Sequence, residues 1–336
     1  MKKNRTIIIA EAGVNHNGKL NLAKKLITAA AVSGADYVKF QTFETENMTK
    51  PETKLAQYQK KNLRNNLSQF EMLKRYELKK NHYNILIKHA KKNKINFISS
   101  PFDINSINFL KKFNLHFIKI PSGEIDNYPY LKEIGKLKKK IILSTGMSTL
   151  NEVYYAIKVL TKFGTKKKNI SLLHCHSEYP SNFKDLNLKA ISTLKKVFKL
   201  KVGYSDHSSG IYAPIVSVAL GSQIIEKHLT LSNKMSGPDH KASINPTQFK
   251  AMVKGIRQTE EMLGNGKKVP TKSELKNKLI VRKSIVARID IKKGDKFSNK
   301  NLTTKRPASG TSPTKYSYFL KKISKKNYKK NNFVKI

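Results

Sequence analysis

The sequence has one cysteine, Cys175, and no tryptophan in 336 residues. A single thiol excludes an intrachain disulfide and any zinc site built from several cysteines. Because Cys175 lies in an apolar run between two histidines, we expect a buried, inert thiol rather than a nucleophile. The chain also lacks an apolar run long enough to span a bilayer, and "TIIIA" near the N-terminus is too short for a signal-peptide core. These absences predict a cytoplasmic protein that does not bind membranes.

Acidic residues are scarce: 22 Asp and Glu stand against 67 Lys and Arg, a formal net charge of +45. Such an excess is typical of proteins that bind nucleic acid or anionic membranes. The basic residues are mostly lysines scattered along the chain, and no basic block alternates with aromatic residues as in an RNA-binding surface. The pattern favours a coding bias and predicts no specific nucleic-acid partner. A basic nucleic-acid-binding protein is the non-enzymatic alternative.

Glycine-rich phosphate loops are absent, since neither GxGxxG nor GxxxxGK[ST] follows the first apolar run. This absence disfavours a doubly wound dinucleotide-binding sheet, the main alternative fold. Short β-branched runs instead alternate with amphipathic helical stretches in eight units, which predicts a (β/α)₈ TIM barrel. The predicted strands span residues 6–11, 37–42, 96–102, 117–124, 140–146, 170–177, 201–207 and 223–230.

The barrel domain is predicted to span residues 1–264. Its last helix has Asn245 as a plausible N-cap, Pro246 in the first turn and Gly264 at the C-terminal stop. Residues 265–281 resemble a linker with a short helix. The pattern of short alternating strands in residues 282–336 predicts a small β-rich second domain. A domain of this size has marginal stability alone, so we expect it to pack on a partner surface.

Reactive side chains cluster at the predicted carboxyl ends of the strands, where such barrels carry their active sites. Lysines inside apolar strands are costly unless they meet an anion, so Lys39 and Lys119 suggest a bound phosphate or carboxylate. Ser122 and Ser144 are potential neutral donors to the same group. The alternative is that each lysine ends its strand and reaches solvent.

Two histidines, His207 and His228, end consecutive strands and are therefore expected to be neighbours. Two imidazoles can bind a divalent metal whose other positions are filled by water and substrate, although two hydrogen-bonded histidines without metal fit the spacing equally well. Ser205 shares a face with His207 and is predicted to contact substrate. Asp206 is expected to point away and to play a supporting role.

The ordered motifs "AEAGVNHNG", "VKFQT", "FISSPFD", "KIPSGEI", "ILSTGM", "LLHCHSEYP", "GYSDHSSG", "IEKHLT" and "GPDHKAS" strongly resemble the bacterial sialic acid synthase family. The tail, with "RKSIVA" and "KRPASG", is similar to that family's antifreeze-like (SAF) domain. The resemblance implies condensation of phosphoenolpyruvate with N-acetylmannosamine to N-acetylneuraminate and phosphate, by aldol-type attack and C–O cleavage. It also implies Mn²⁺ or Mg²⁺ and a domain-swapped homodimer in which each tail covers the partner's barrel.

Matching motifs also imply residue roles. The metal ligands would be His207 and His228. The phosphoenolpyruvate site would comprise Lys39, Lys119, Ser100, Phe102, Ser122, Ser144 and Ser205. The sugar site would comprise Gln41, Tyr179, Asp239 and Arg306. Glu124, Glu11 and Lys119 would be catalytic, with Glu124 handling protons.

One departure concerns the acceptor. Ser177 stands where some relatives have Asn or Thr, close to the sugar. The forms "SEYP" and "GPDHKAS" look more like the branch that contains legionaminic acid synthases. The alternative acceptor is therefore 2,4-diacetamido-2,4,6-trideoxymannose. Another phosphoenolpyruvate-using or aldolase barrel, which would not need Arg306, remains a second enzymatic alternative.

Overall fold

The computed structural model describes residues 5–63 and 67–335, which form two compact units, one ending at Gly264 and one beginning at Asn265. The strands of the first unit are β1 (Ile7–Gly13), β2 (Tyr37–Thr42), β3 (Asn96–Pro101), β4 (Ile118–Ile120), β5 (Ile141–Ser144), β6 (Ile170–Cys175), β7 (Lys201–Asp206) and β8 (Ile224–His228). They are parallel and lie in the order β3-β2-β1-β8-β7-β6-β5-β4, and β3 packs beside β4 to close the sheet. The predicted TIM barrel is confirmed.

The helices of the first unit are α1 (Leu20–Val32), α2 (Thr45–Met48), α3 (Gln57–Leu63), α4 (Gln69–Tyr76), α5 (His82–Lys92), α6 (Ile104–Leu110), α7 (Tyr128–Lys136), α8 (Leu150–Lys162), α9 (Ala190–Phe198), α10 (Tyr212–Ala219) and α11 (Pro246–Met262). The predicted caps of α11 are present. The Asn245 side chain accepts a hydrogen bond from the Gln248 backbone N–H, and Pro246 is the first helical residue. Gly264 follows the helix with a φ of +57°, a conformation that favours glycine.

Two layers of side chains fill the barrel interior. The lower layer is apolar and consists of Ile9, Tyr37, Ile98, Phe117, Ile142, Leu173 and Ile224. Side chains two residues apart along a strand point the same way, so the next layer toward the carboxyl ends begins two residues on. That layer contains Glu11, Lys39, Ser100, Lys119, Ser144, Cys175 and Glu226. The strands therefore form an apolar plug below a polar cavity.

Every observed strand begins within one residue of its prediction, but the predicted strand over 117–124 is too long. Strand β4 stops at Ile120, and Ser122–Glu124 form a single 3₁₀ turn. The reason is Pro121, which has no N–H to donate to a sheet ladder. Ser122 and Glu124 therefore lie on a turn after the strand.

Outside the strands, the outward apolar side chains pack against the helices in one continuous core that includes Ile8, Val38, Leu143, Leu172 and Ile225. The second unit has its own elements: α12 (Lys272–Val281), an antiparallel pair β9 (Ser284–Ala287) and β10 (Leu302–Lys305), and the short α13 (Tyr316–Phe319). Its core consists of Ile285, Ala287, Ile291, Phe297, Leu302, Phe319, Tyr328 and Val334. Within the described ranges, no helix is long and apolar enough to cross a membrane.

Candidate active site

A cavity of about 310 Å³ opens at the carboxyl ends of the barrel strands. Most of the predicted site residues line it: Glu11, Lys39, Gln41, Ser100, Phe102, Lys119, Ser122, Ser144, Tyr179, Ser205, His207, His228 and Asp239. Glu124 does not line this cavity; it is half-buried on the turn after β4, where it accepts a hydrogen bond from Asn127. Arg306 belongs to the second unit, where it is exposed.

Four buried charges form the floor of the cavity. Lys39 Nζ lies 2.9 Å from Glu11 Oε1 and 3.7 Å from Glu226 Oε1, and Lys119 Nζ lies 3.4 Å from the same Glu226 oxygen. The protein itself thus supplies counter-charges for both lysines, a role that the sequence analysis gave only to a bound ligand. Glu226 was not among the predicted site residues. Its position two residues before His228 was the available signal, since the two share a face of β8.

Burial and neighbouring charges shift the ionisation of these groups in different directions. Burial lowers the pKa of Lys119, and the nearby charge of Glu226 opposes this shift only in part. Burial lowers the pKa of Lys39 as well, but the charges of Glu11 and Glu226 outweigh burial and raise this pKa above its usual value. Burial raises the pKa of Glu11, whereas Lys119 and Lys39 overcome burial at Glu226 and lower its pKa. Glu11 is therefore the carboxyl more able to hold a proton.

Hydroxyl groups surround these charges. Lys39 donates to Ser100 Oγ at 3.2 Å, and Ser205 Oγ donates to Glu226 Oε1 at 3.0 Å. Ser122 Oγ accepts from the Gly146 backbone N–H at 3.0 Å. A Cβ at Gly146 would lie 2.4 Å from Ser177 Oγ and 2.8 Å from Cys175 Sγ, so a larger residue would displace the side chains of this wall. Glycine is therefore required where the β5 loop passes the cavity.

Cys175 contributes to the same wall. It is buried, its Sγ lies 3.2 Å from Ser122 Oγ, and burial raises the pKa of its thiol. A raised thiol pKa disfavours the nucleophilic thiolate. The environment thus fits the predicted inert thiol, although Cys175 lines the cavity rather than lying remote from it.

The two histidines meet as expected from their adjacent strands, with ring centroids 5.4 Å apart. His207 Nδ1 lies 2.6 Å from the His176 carbonyl oxygen, which can only accept, so Nδ1 carries the proton and Nε2 carries the lone pair. The Tyr179 hydroxyl lies 3.0 Å from that Nε2, and the Tyr179 ring stacks on His207. Burial lowers the pKa of His207 to about 4 and that of His228 well below its usual value. Both rings are neutral at pH 7.

The donors beside these rings fit a divalent cation. His228 Nδ1 and Glu11 Oε2 are buried and have no hydrogen-bond partner among residues 5–63 and 67–335. Asp239 Oδ2 lies 4.0 Å from His228 Nδ1, and burial followed by the Glu11 charge raises the pKa of Asp239 to about 7. The part of the chain that the structure describes contains no ready group of three or more His, Cys, Asp or Glu ligands. A cation here would depend on His207 and His228, with water and substrate as further ligands.

Another part of the cavity lining comes from the connection between β2 and α5, where Tyr58, Gln59 and Gln69 are polar and four other residues are largely apolar. These four are Met48, Met72, Leu73 and Tyr76, and they come from helices α2 and α4. Met72 and Leu73 are buried with Val14 and Phe43 in a small cluster separate from the main core. We call these four residues, Met48, Met72, Leu73 and Tyr76, the apolar wall. No motif in the sequence indicates this apolar wall.

Comparison with known proteins places this arrangement in a family. The model of the NeuB family matches residues 26–268, and that of the SAF domain matches residues 282–334. The chain belongs to the NeuB family. The predicted resemblance and the predicted antifreeze-like tail are thereby confirmed.

Three relatives of this NeuB-family chain are informative. It is 55% identical over 335 residues, covering 100% of both chains, to the N,N'-diacetyllegionaminic acid synthase of Campylobacter jejuni. It is 45% identical to the synthase of the same name from Legionella pneumophila, covering 92% of this chain and 88% of the relative. A crystal structure of N-acetylneuraminic acid synthetase from Leptospira borgpetersenii is 34% identical, with a TM-score of 0.72 over 82% of this chain and 90% of that one. These three relatives are sugar-acid synthases, and the NeuB-family chain is therefore an enzyme.

Proposed function

We propose that this enzyme is an N,N'-diacetyllegionaminic acid synthase. It would condense phosphoenolpyruvate with 2,4-diacetamido-2,4,6-trideoxymannose and release phosphate. The observation that carries the proposal is the 55% identity, over the full length of both chains, to a relative with that name. This acceptor is the alternative of the sequence analysis, and it is better supported than N-acetylmannosamine.

The apolar wall supports the same acceptor. N-acetylmannosamine carries hydroxyls at C4 and C6, whereas the diacetamido sugar carries an acetamido group and a methyl group there. A hydroxyl buried without a partner costs about 1–3 kcal/mol, while a buried methyl group gains about 0.8 kcal/mol. Where the sugar meets Met48, Met72, Leu73 and Tyr76 rather than the neighbouring Gln59 and Gln69, the acceptor with methyl groups is therefore favoured.

The charged floor suits phosphoenolpyruvate. In our proposal, Lys39 and Lys119 pair with its phosphate and carboxylate, and Ser100, Ser122, Ser144 and Ser205 donate hydrogen bonds to the same oxygens. Phe102 packs at the edge of this subsite, and Gln41, Tyr179 and Asp239 contact the sugar. A divalent cation bound through His207 and His228 would act as a Lewis acid on the sugar aldehyde.

The chemistry follows from this placement. The methylene carbon of phosphoenolpyruvate attacks the aldehyde carbon and forms a C–C bond, and the aldehyde oxygen takes a proton. Glu11 is suited to supply it, because its pKa is raised and its Oε2 is unpartnered within the described residues. Water adds to the enol carbon, and the C–O bond to phosphate then breaks. We retain Glu124, whose carboxyl pKa is raised by burial, as the proposed carrier of the water proton; because it lies outside the cavity lining, the proton would reach it through an intervening water.

Phosphate release tests this proposal. Purified protein with Mn²⁺ and phosphoenolpyruvate is expected to release phosphate only when an amidosugar acceptor is added, and fastest with the diacetamido sugar. His207→Ala should lose Mn²⁺ binding and at least about a hundredfold in turnover, since one of two imidazoles is removed. His89→Ala, at a hydrogen-bonded position on α5 outside the cavity lining, is the matched control and should behave as wild type. Retained turnover in His207→Ala would remove this residue from the mechanism.

N-acetylmannosamine remains a second candidate acceptor, favoured by the 34% identity to the Leptospira N-acetylneuraminic acid synthetase. We also propose the domain-swapped homodimer implied by the family resemblance, in which Arg306 reaches the partner's sugar site. Mixing His207→Ala with Arg306→Ala subunits tests it. Mixed dimers should regain activity that neither variant shows alone, and no recovery would contradict the swap.

A further inference from the structure

A fully buried ion pair lies on the outward face of β7 and β8, behind the cavity wall. Lys227 Nζ is 2.5 Å from Asp206 Oδ2, and both side chains have 0% of their surface exposed. The two residues are register partners across the parallel strands. Neither lines the cavity. Each is the immediate chain neighbour of one of the two histidines, Asp206 before His207 and Lys227 before His228.

The pair fixes the backbone that follows β7. Asp206 Oδ1 accepts hydrogen bonds from the Tyr204 hydroxyl and from the Ser208 backbone N–H, each at 3.0 Å. Lys227 also donates to the Ser208 carbonyl oxygen. Both polar groups of the Ser208 backbone are therefore held by side chains of the pair. His207 lies between Asp206 and Ser208, so its position is fixed from both sides.

The location of the pair is unusual within this barrel. The outward positions that directly follow the polar layer on the other strands include the apolar core residues Ala12, Phe40 and Ile120, and none of them is Asp, Glu, Lys or Arg. A buried ion pair is often no more stable than well-packed apolar residues of the same volume, because both charges must be desolvated. Stability alone therefore does not explain why this charged pair stands directly beside the two histidines.

We propose that Lys227 and Asp206 are positioning residues that lock the ends of β7 and β8 in register, so that His207 and His228 present their nitrogen atoms to one divalent cation. This inference rests on the cation site of the proposed function. It assigns the pair a role in cation affinity that does not depend on its contribution to folding. Neither residue touches the substrate or the cation.

A double-mutant cycle separates the two contributions. Asp206→Asn and Lys227→Met each leave one buried polar group without its partner, so both single variants should show a lowered melting temperature. The double variant leaves no unpaired charge and should recover most of that loss. The full-length chain is used throughout, and Mn²⁺ affinity is measured without substrates from the electron paramagnetic resonance signal of unbound Mn²⁺.

We expect the double variant to bind Mn²⁺ at least about tenfold more weakly than wild type although its melting temperature is largely restored. Tyr204→Phe removes only one hydrogen bond to Asp206 and should fold normally, with a two- to fivefold weaker affinity on the same physical argument. Arg257→Met is the matched control. It removes a partly buried cation that pairs with Asp36, and it should lower the melting temperature without changing Mn²⁺ affinity.

Two results would overturn the inference, and they are distinguishable. If wild type binds Mn²⁺ and the double variant and Tyr204→Phe bind it equally well, the pair is only structural and the cation site stands. If wild type binds no Mn²⁺, the cation site itself is wrong and the positioning role fails with it.

Discussion

At the scale of single residues, Glu226 is the most important site residue that the motifs did not identify. Its Oε1 accepts from Ser205 and lies within 4 Å of both Lys39 and Lys119. An incoming phosphate or carboxylate must therefore share these lysines with a carboxylate already present. In the proposed complex, Glu226 would compete with phosphoenolpyruvate for the two lysine ammonium groups.

Glu226→Gln should bind phosphoenolpyruvate about tenfold more tightly, because removal of one nearby negative charge strengthens the attraction between the lysines and the ligand. Isothermal titration calorimetry without cation or acceptor measures this affinity. Glu178→Gln removes the same charge at an exposed position and should have little effect. Weaker binding in Glu226→Gln would show that this carboxylate orients the lysines rather than competing for them.

The raised pKa of Asp239 makes a prediction about stability. The folded chain holds this proton up to about pH 7, whereas the unfolded chain releases it near the ordinary value of 3.8. Between these values the folded state binds more protons, so the Asp239 contribution to the free energy of unfolding falls as pH rises and is constant above pH 7. Asp239→Asn cannot ionise and should avoid this loss.

Chemical denaturation of both proteins, with chelator present, measures this effect. Between pH 4 and pH 8, the free energy of unfolding of the variant should increase relative to wild type by at most a few kcal/mol. This upper limit follows from about 1.4 kcal/mol for each unit of the pKa shift. The other ionisable groups are shared, and those that do not interact with Asp239 cancel in the difference. An equal difference at both pH values would mean that Asp239 titrates normally.

At the scale of elements, α4 determines the apolar side of the cavity. Ser68 and Glu71 form a capping box at its N-terminus, and this fixes where the helix begins and which residues face inward. Met72 then lies buried against the cavity. The capping box of α4 thus positions Met72, which we propose contacts the acceptor sugar.

Met72→Gln should lower the ratio of kcat/KM for the diacetamido sugar to kcat/KM for N-acetylmannosamine by about tenfold. The amide replaces apolar surface against the methyl groups, and one such contact is worth about 1–3 kcal/mol in discrimination. Steady-state kinetics with both acceptors give the ratio. Lys74→Gln on the exposed face of α4 is the control and should leave it unchanged. If kcat/KM fell equally for both acceptors, Met72 would have no role in selecting between them.

The sequence predicted the barrel and its strand starts because β-branched runs and helical periods repeat eight times along the chain. It also predicted the layer of polar side chains, since the two-residue alternation of a strand carries them from the apolar plug into the cavity. The strand ends were less predictable, as the turn after Pro121 shows. The apolar wall could not be predicted, because Met48 and Met72 lie on helices of the connection rather than on strands and meet the cavity only through the fold of that connection. The Lys227–Asp206 pair likewise depends on strand register, which no local pattern specifies.

At the scale of the whole molecule, the net charge of +45 should accelerate the encounter with an anionic substrate. We expect kcat/KM for phosphoenolpyruvate to fall as ionic strength rises, because salt screens this attraction beyond about 10 Å at 0.1 M. The acceptor sugar is uncharged, so its kcat/KM provides an internal control and should change little. A value for phosphoenolpyruvate that is independent of salt would mean that the lysine excess does not assist capture.

The most direct test of the account is a competition between acceptors in one reaction. Wild-type enzyme, Mn²⁺ and phosphoenolpyruvate are mixed with equal concentrations of 2,4-diacetamido-2,4,6-trideoxymannose and N-acetylmannosamine, and mass spectrometry quantifies the two nine-carbon products. Their initial ratio equals the ratio of the two kcat/KM values. We predict that the diacetamido product exceeds N-acetylneuraminate by at least about tenfold, as expected when an apolar wall faces groups that differ by a hydroxyl and a methyl. A mixture dominated by N-acetylneuraminate, or one that contains neither product, would contradict the proposed function.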